Sequence, residues 1–273
     1  MNNPIIAIAW RRGRYALVAT LVAGLPLRVA AGQIAVDELE LKLSLQRGRI
    51  PSDVFHATNA SPVAAQATIS IQDWDRSEAG ENRYYPLGSL KSSCASHIKV
   101  FPSVLQLGPR TTQTVRVTLE GADSLPHGCY AILFVETPAP PRSAHGPALV
   151  YNVRYGVKVY VEPDGPLSAE VEDLSVEPAP AVVKTDTSSR QLVASFRNTS
   201  SRQTQTHGKV EIRRTDNTLV TTIDIPEFPT LPGAMRRLGV RLPRLARGRY
   251  VVLALLDYEG AEIAAGQVDL EIP

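Results

Sequence analysis

Residues 149–161 carry the longest alternating stretch of the chain. Leu149, Tyr151, Val153 and Tyr155 fall at every second position, while Asn152, Arg154 and Lys158 stand mainly between them. That is the period of a pleated strand. Strands usually run about five or six residues, so a run of this length predicts a strand with one end reaching past what its own sheet can pair. An apolar projecting edge is an aggregation hazard unless something is meant to pair with it. The run is entered from the proline-rich loop Thr137, Pro138, Ala139, Pro140, Pro141.

Other short alternating runs, at 39–45, 54–58, 65–71, 104–107, 114–119 and 130–135, are separated by Gly, Pro, Asn and Ser clusters. Together with 149–161 they describe a β-sandwich of immunoglobulin type. No stretch has a helical period. After Glu162, Pro163, Asp164, Gly165 and Pro166 the pattern starts again, and it echoes what came before. Phe55 to Ser61 returns as Ala194 to Ser200, Leu107 to Pro109 as Leu231 to Gly233, and Gly128, Cys129, Tyr130 as Gly248, Arg249, Tyr250. The order is kept, so the prediction is an all-β chain of two immunoglobulin-like sandwiches in tandem, residues 34–163 and 167–273. Similar turns shared by all such sandwiches explain the echo equally well.

Residues 1–31 read as a cleaved export signal: basic Arg11, Arg12 and Arg14, an apolar run over 15–27, and small residues at Ala30 and Ala31. The apolar run is shorter than the roughly 20 residues a spanning helix needs, and nothing later looks membrane-spanning. Cleavage takes the formal charge from +2 to −2, because Arg11, Arg12, Arg14 and Arg28 leave and no acidic residue does. A near-neutral mature chain gives no reason to expect nucleic acid as a partner. The expected location is the periplasm. There the two cysteines, Cys94 and Cys129, favour one disulfide, with two buried thiols that never meet as the alternative.

Catalysis finds little support. The five histidines are scattered without metal-ligand spacing, and no nucleophile elbow or phosphate loop is present. No metal, cofactor or enzymatic activity is expected. Asp73, Asp75 and Glu78 read as a solvated turn. Arg236, Arg237, Arg241, Arg244, Arg247 and Arg249 read as a solvated strand edge, with docking to an acidic surface as the sharper alternative.

Val157 to Pro163 resembles the corresponding segment of the periplasmic pilus chaperones, the PapD-like family, and so do Phe101 to Pro109, Thr114 to Val117 and Tyr130 to Pro138. The resemblance covers about residues 34–163. It implies a non-enzymatic chaperone that captures pilus or fimbrial subunits by adding its own strand to their unfinished sandwich, with an outer-membrane usher as the receiving partner. Residues 149–158 would form the donor strand, with Leu149, Tyr151 and Val153 inserted and Tyr155 at the same edge. Lys158 would grip the subunit's C-terminal carboxylate, with Lys42 as the second basic group. Glu162 departs from the family, which has an interdomain arginine there, and residues 167–273 match it poorly. The competing expectation is a structural or adhesive envelope protein built from the same two domains.

Overall fold

The computed structural model describes residues 34–45, 49–121, 125, 128–138, 153–180 and 189–273. The expected signal, residues 1–31, lies outside them, as do Leu149 and Tyr151. In chain order the strands are β1 Ile34–Val36, β2 Glu40–Leu45, β3 Ser52–Asn59, β4 Ala65–Arg76, β5 Asn82–Tyr85, β6 Ile98–Phe101, β7 Val104–Leu107, β8 Thr112–Leu119, β9 Cys129–Glu136 and β10 Arg154–Pro163. There follow β11 Ala169–Pro178, β12 Arg190–Asn198, β13 Thr204–Arg214, β14 Leu219–Thr230, β15 Met235–Arg241, β16 Gly248–Asp257 and β17 Ala264–Ile272. A 3-10 turn, Ala95–His97, lies between β5 and β6.

The first ten strands form one sheet ordered β1-β3-β8-β6 and another ordered β2-β10-β9-β4-β5, with β7 on β4. The last seven form β11-β12-β15 and β14-β13-β16-β17. Alternation explains each pair of sheets, since a strand whose odd and even positions differ in polarity buries one face against an opposing sheet. Phe55, Val115, Val117, Leu133, Val157 and Val159 fill the first core. Phe196, Val210, Ile212, Val252 and Leu256 fill the second. Cys94 and Cys129 are joined in a disulfide across a sequence separation of 35, their Cα atoms 5.5 Å apart.

Two of the sequence echoes share a physical cause. Asn59, fully buried, donates from Nδ2 to the carbonyls of Val63 at 2.8 Å, Leu107 at 3.2 Å and Gly108 at 2.9 Å, and accepts from the Ser61 N–H at 3.0 Å. Asn198 repeats the arrangement with Arg202, Thr230 and Leu231 as acceptors and Ser200 as donor. The third echo differs in facing. Tyr250 points into the second core and donates to the Ala246 carbonyl at 2.9 Å, whereas Tyr130 points out of the first core into a separate aromatic cluster.

Of the three acidic residues read as a solvated turn, only Glu78 stands exposed in a turn; Asp73 and Asp75 lie on β4. Asp73 is fully buried and accepts from the Leu90 N–H at 2.8 Å and the Ser93 hydroxyl at 2.6 Å, which ties down the segment before the 3-10 turn. Asp75 holds Arg83 through both carboxylate oxygens, at 2.7 and 2.8 Å. Arg236, Arg237 and Arg241 are likewise put to internal use, while Arg244, Arg247 and Arg249 stand exposed as a solvated edge would. Arg236 donates to the Glu78 carbonyl and Arg237 gives its backbone N–H to the same oxygen, each at 2.9 Å. Arg237 also pairs with Glu177 at 3.0 Å, and Arg241 donates to Ser189 and to the Pro180 carbonyl. Most of these contacts fasten the β4–β5 hairpin to β15 or hold the ends of β11 and β12. An acidic docking surface is not needed to explain them.

Candidate functional site

Strand β10 has two neighbours of unequal length. Antiparallel β9 pairs it from Arg154 opposite Glu136 through Val161 opposite Cys129. Parallel β2 pairs its other side only from Lys158 opposite Glu40 to Pro163 opposite Leu45. Over Arg154 to Val157 that second side meets no strand among the described residues. The direction of the open groups follows from the ladder. The Lys158 N–H reaches toward β2 and donates to the Leu39 carbonyl at 2.8 Å. Backbone groups of alternate residues turn the same way, so Gly156 and Arg154 direct theirs to the open side. The structure thus brings an unpaired strand edge to the place where the sequence pattern runs longest.

Side chains along this edge keep the strand alternation. Val157 is fully buried, Tyr155 packs on the first core and Val153 is half-buried. On the opposite face Arg154 lies over the Phe134 ring, 3.3 Å from its centroid, and pairs with Glu136. Gly156 leaves room for the same ring. A Cβ there would meet Ile132 Cδ1 at 3.0 Å and Phe134 Cε1 at 3.3 Å. Gly156→Val should therefore lower stability by about 1–3 kcal/mol through overpacking, read as a lower denaturation midpoint with an unchanged slope.

Lys158 marks the point where the open edge closes. Its Nζ donates to Glu40 Oε1 at 2.7 Å and stands 5.7 Å from the centre of the Trp74 ring. Lys42 is not beside it. It sits two places along β2, opposite Tyr160 and exposed, so the residue facing Lys158 is Glu40, a position that no sequence pattern singles out. Only the parallel register of β2 on β10 puts it there.

Behind the lysine lies the aromatic cluster on the outer face of the first sandwich. Trp74, fully buried, donates from Nε1 to the Ala131 carbonyl at 3.1 Å and meets Tyr130 and Tyr160 edge-on at 5.7 and 6.0 Å. Leu231 and Ala234 of the second sandwich close over it. Burial pushes the Tyr160 hydroxyl far above its ordinary range, and that oxygen has no hydrogen-bond partner among the described residues. Burial also raises the Tyr130 hydroxyl, a shift eased by its bond to Ser92. Two more contacts join the halves. Arg76 donates to the Pro229 carbonyl at 3.3 Å, and Glu162 pairs with Arg202 at 3.5 Å. Where the resemblance implies an interdomain arginine, this chain has the acid, and the base comes from the second sandwich. Among the described residues no three His, Cys, Asp or Glu side chains group as metal ligands.

Two solved structures share this fold over most of their length. A chaperone bound to the tip adhesin in the biogenesis of CFA/I fimbriae is 11% identical, with a TM-score of 0.51, covering 89% of this chain and 100% of its own. The class 5 fimbriae chaperone CfaA is also 11% identical, with a TM-score of 0.50 and coverage of 88% and 99%. The chain has the fimbrial chaperone fold. No protein-family model and no curated protein matches the sequence, so the likeness lies in the path of the backbone. Within that fold, β10 is open on one side over Arg154 to Val157 among the described residues, and the pair Lys158–Glu40 stands where that side closes.

Proposed function

We infer that this protein is a periplasmic chaperone for pilus or fimbrial subunits and that it captures them by lending the open edge of β10. The observation that carries this reading is the one-sided pairing of Arg154 to Val157. Backbone groups of Arg154 and Gly156 directed to that side can hydrogen-bond an incoming strand, and alternate apolar side chains can fill its groove. Leu149, Tyr151, Val153 and Tyr155 supply those side chains, and Lys158 stands at the end of the edge as the anchor for a terminal carboxylate. Export by residues 1–31, division into domains 34–163 and 167–273, and release to an outer-membrane usher complete the proposal.

Affinity purification of the full chain from its native periplasm tests it. The expected result is a stoichiometric small partner whose own sandwich lacks a strand. Recovery of a monomer with no such partner would overturn the reading in favour of a structural or adhesive envelope protein.

A further inference from the structure

We propose that Glu40 is an exchangeable stand-in for the carboxylate of the incoming strand, and so sets how strongly chain ends are held; this rests on the strand-lending reading above. The argument begins with β2. From Lys158 onward β2 occupies the same side of β10 that is open over Arg154 to Val157. A strand added to the open part lies in line with β2 and has to stop where β2 begins, at Leu39 and Glu40. If it runs parallel to β10, as β2 does, the end that arrives there is its C-terminus.

Lys158 awaits it already paired. Glu40 holds the ammonium at 2.7 Å, with the lysine side chain 19% exposed and the glutamate 36% exposed. No other acidic group bonds Lys158 among the described residues. A carboxylate brought to this neutral pair either adds an unbalanced negative charge or takes the place of Glu40. Replacement is the cheaper course. Glu40 stands at the first position of β2 with a way out to water, and a pair this exposed is worth little. Lys158 is the more enclosed member, lying beside the Trp74 ring, so the lysine keeps its position while the glutamate changes partner. In the free protein Glu40 keeps the ammonium paired and in position, and in the complex it becomes a competitor that the partner's end must displace.

The test uses the full mature chain and one peptide probe: about the last dozen residues of the subunit recovered with the wild-type chain, made as free acid and as amide. Glu40→Gln is expected to bind the free acid about three- to fivefold more tightly than wild type and the amide no differently. Lys158→Met should weaken the free acid and cancel the gain when combined with E40Q. An E40Q chain that binds the free acid no better, or less well, overturns the proposal. Weaker binding would mean that the arriving end is an amino terminus held by Glu40. If wild type binds the peptide in both forms and Glu40 makes no difference, only this proposal falls. If neither form binds wild type at all, strand lending falls with it.

Discussion

Val153→Asp is expected to cut the recovery of subunit in a periplasmic pull-down by about 100-fold or more while leaving the melting of the free protein nearly unchanged. Val153 immediately precedes β10, is half-buried and forms no part of a described strand, so the free fold has little to lose there. In a complex the same position would face the groove of the partner. A carboxylate without a counter-ion in such a groove costs several kcal/mol, and about 2.7 kcal/mol already corresponds to 100-fold. Tyr151→Asp should behave in the same way. Retained capture by both variants would move the binding surface away from this strand, even if a partner were still recovered. A fall in melting temperature equal to the loss of capture would instead mean that the segment serves the protein's own core.

Asn198→Ala should lower the unfolding free energy by about 4 kcal/mol, and Asn59→Ala by a similar amount, measured by denaturant titration of the full chain. Each asparagine gathers several backbone groups of its own and a neighbouring loop onto one side chain. For Asn198 these are the carbonyls of Arg202, Thr230 and Leu231 together with the Ser200 N–H and hydroxyl. Alanine removes the amide that links these groups and the acceptor of the Ser200 N–H, and every buried group left without a partner costs about 1–3 kcal/mol. Asp is the informative second substitution. It keeps the acceptor toward Ser200 but turns a negative charge onto three carbonyl oxygens, so it should be worse than Ala rather than better.

These asparagines also show what kind of information the sequence exposes. Asn59 and Asn198 lie beside Ser61 and Ser200, and their more distant carbonyl partners fall at Leu107 and Leu231, so the repeated constellation is visible as short words in the same order. Tyr130 and Tyr250 form a similar word and mislead, because one residue of shift reverses the face of a strand. The part of the long run that falls on β10, Arg154 to Val161, was legible because alternation is local. What could not be read was pairing between distant segments. β2 and β10 are parallel and far apart in the chain, and only their register sets Glu40, rather than Lys42, against Lys158. Asp73 was misjudged as solvated because its partners, the Leu90 N–H and the Ser93 hydroxyl, come from a loop without periodicity. The arginines after Met235 looked like a free edge because the hairpin carbonyl they hold, that of Glu78, lies far away in sequence.

The cluster around Trp74 has a consequence for how the chain can be divided. Trp74, Tyr130, Ile132, Phe134 and Tyr160 belong to the first sandwich, but Leu231 of the second is buried among them and Ala234 packs against them. A first half produced alone would present these rings to water, and a contiguous aromatic face of that kind promotes self-association. The two halves are therefore not interchangeable modules on a string. The second sandwich acts as a lid for the first, so a truncation intended to isolate β10 would also uncover an apolar surface that the full chain keeps covered.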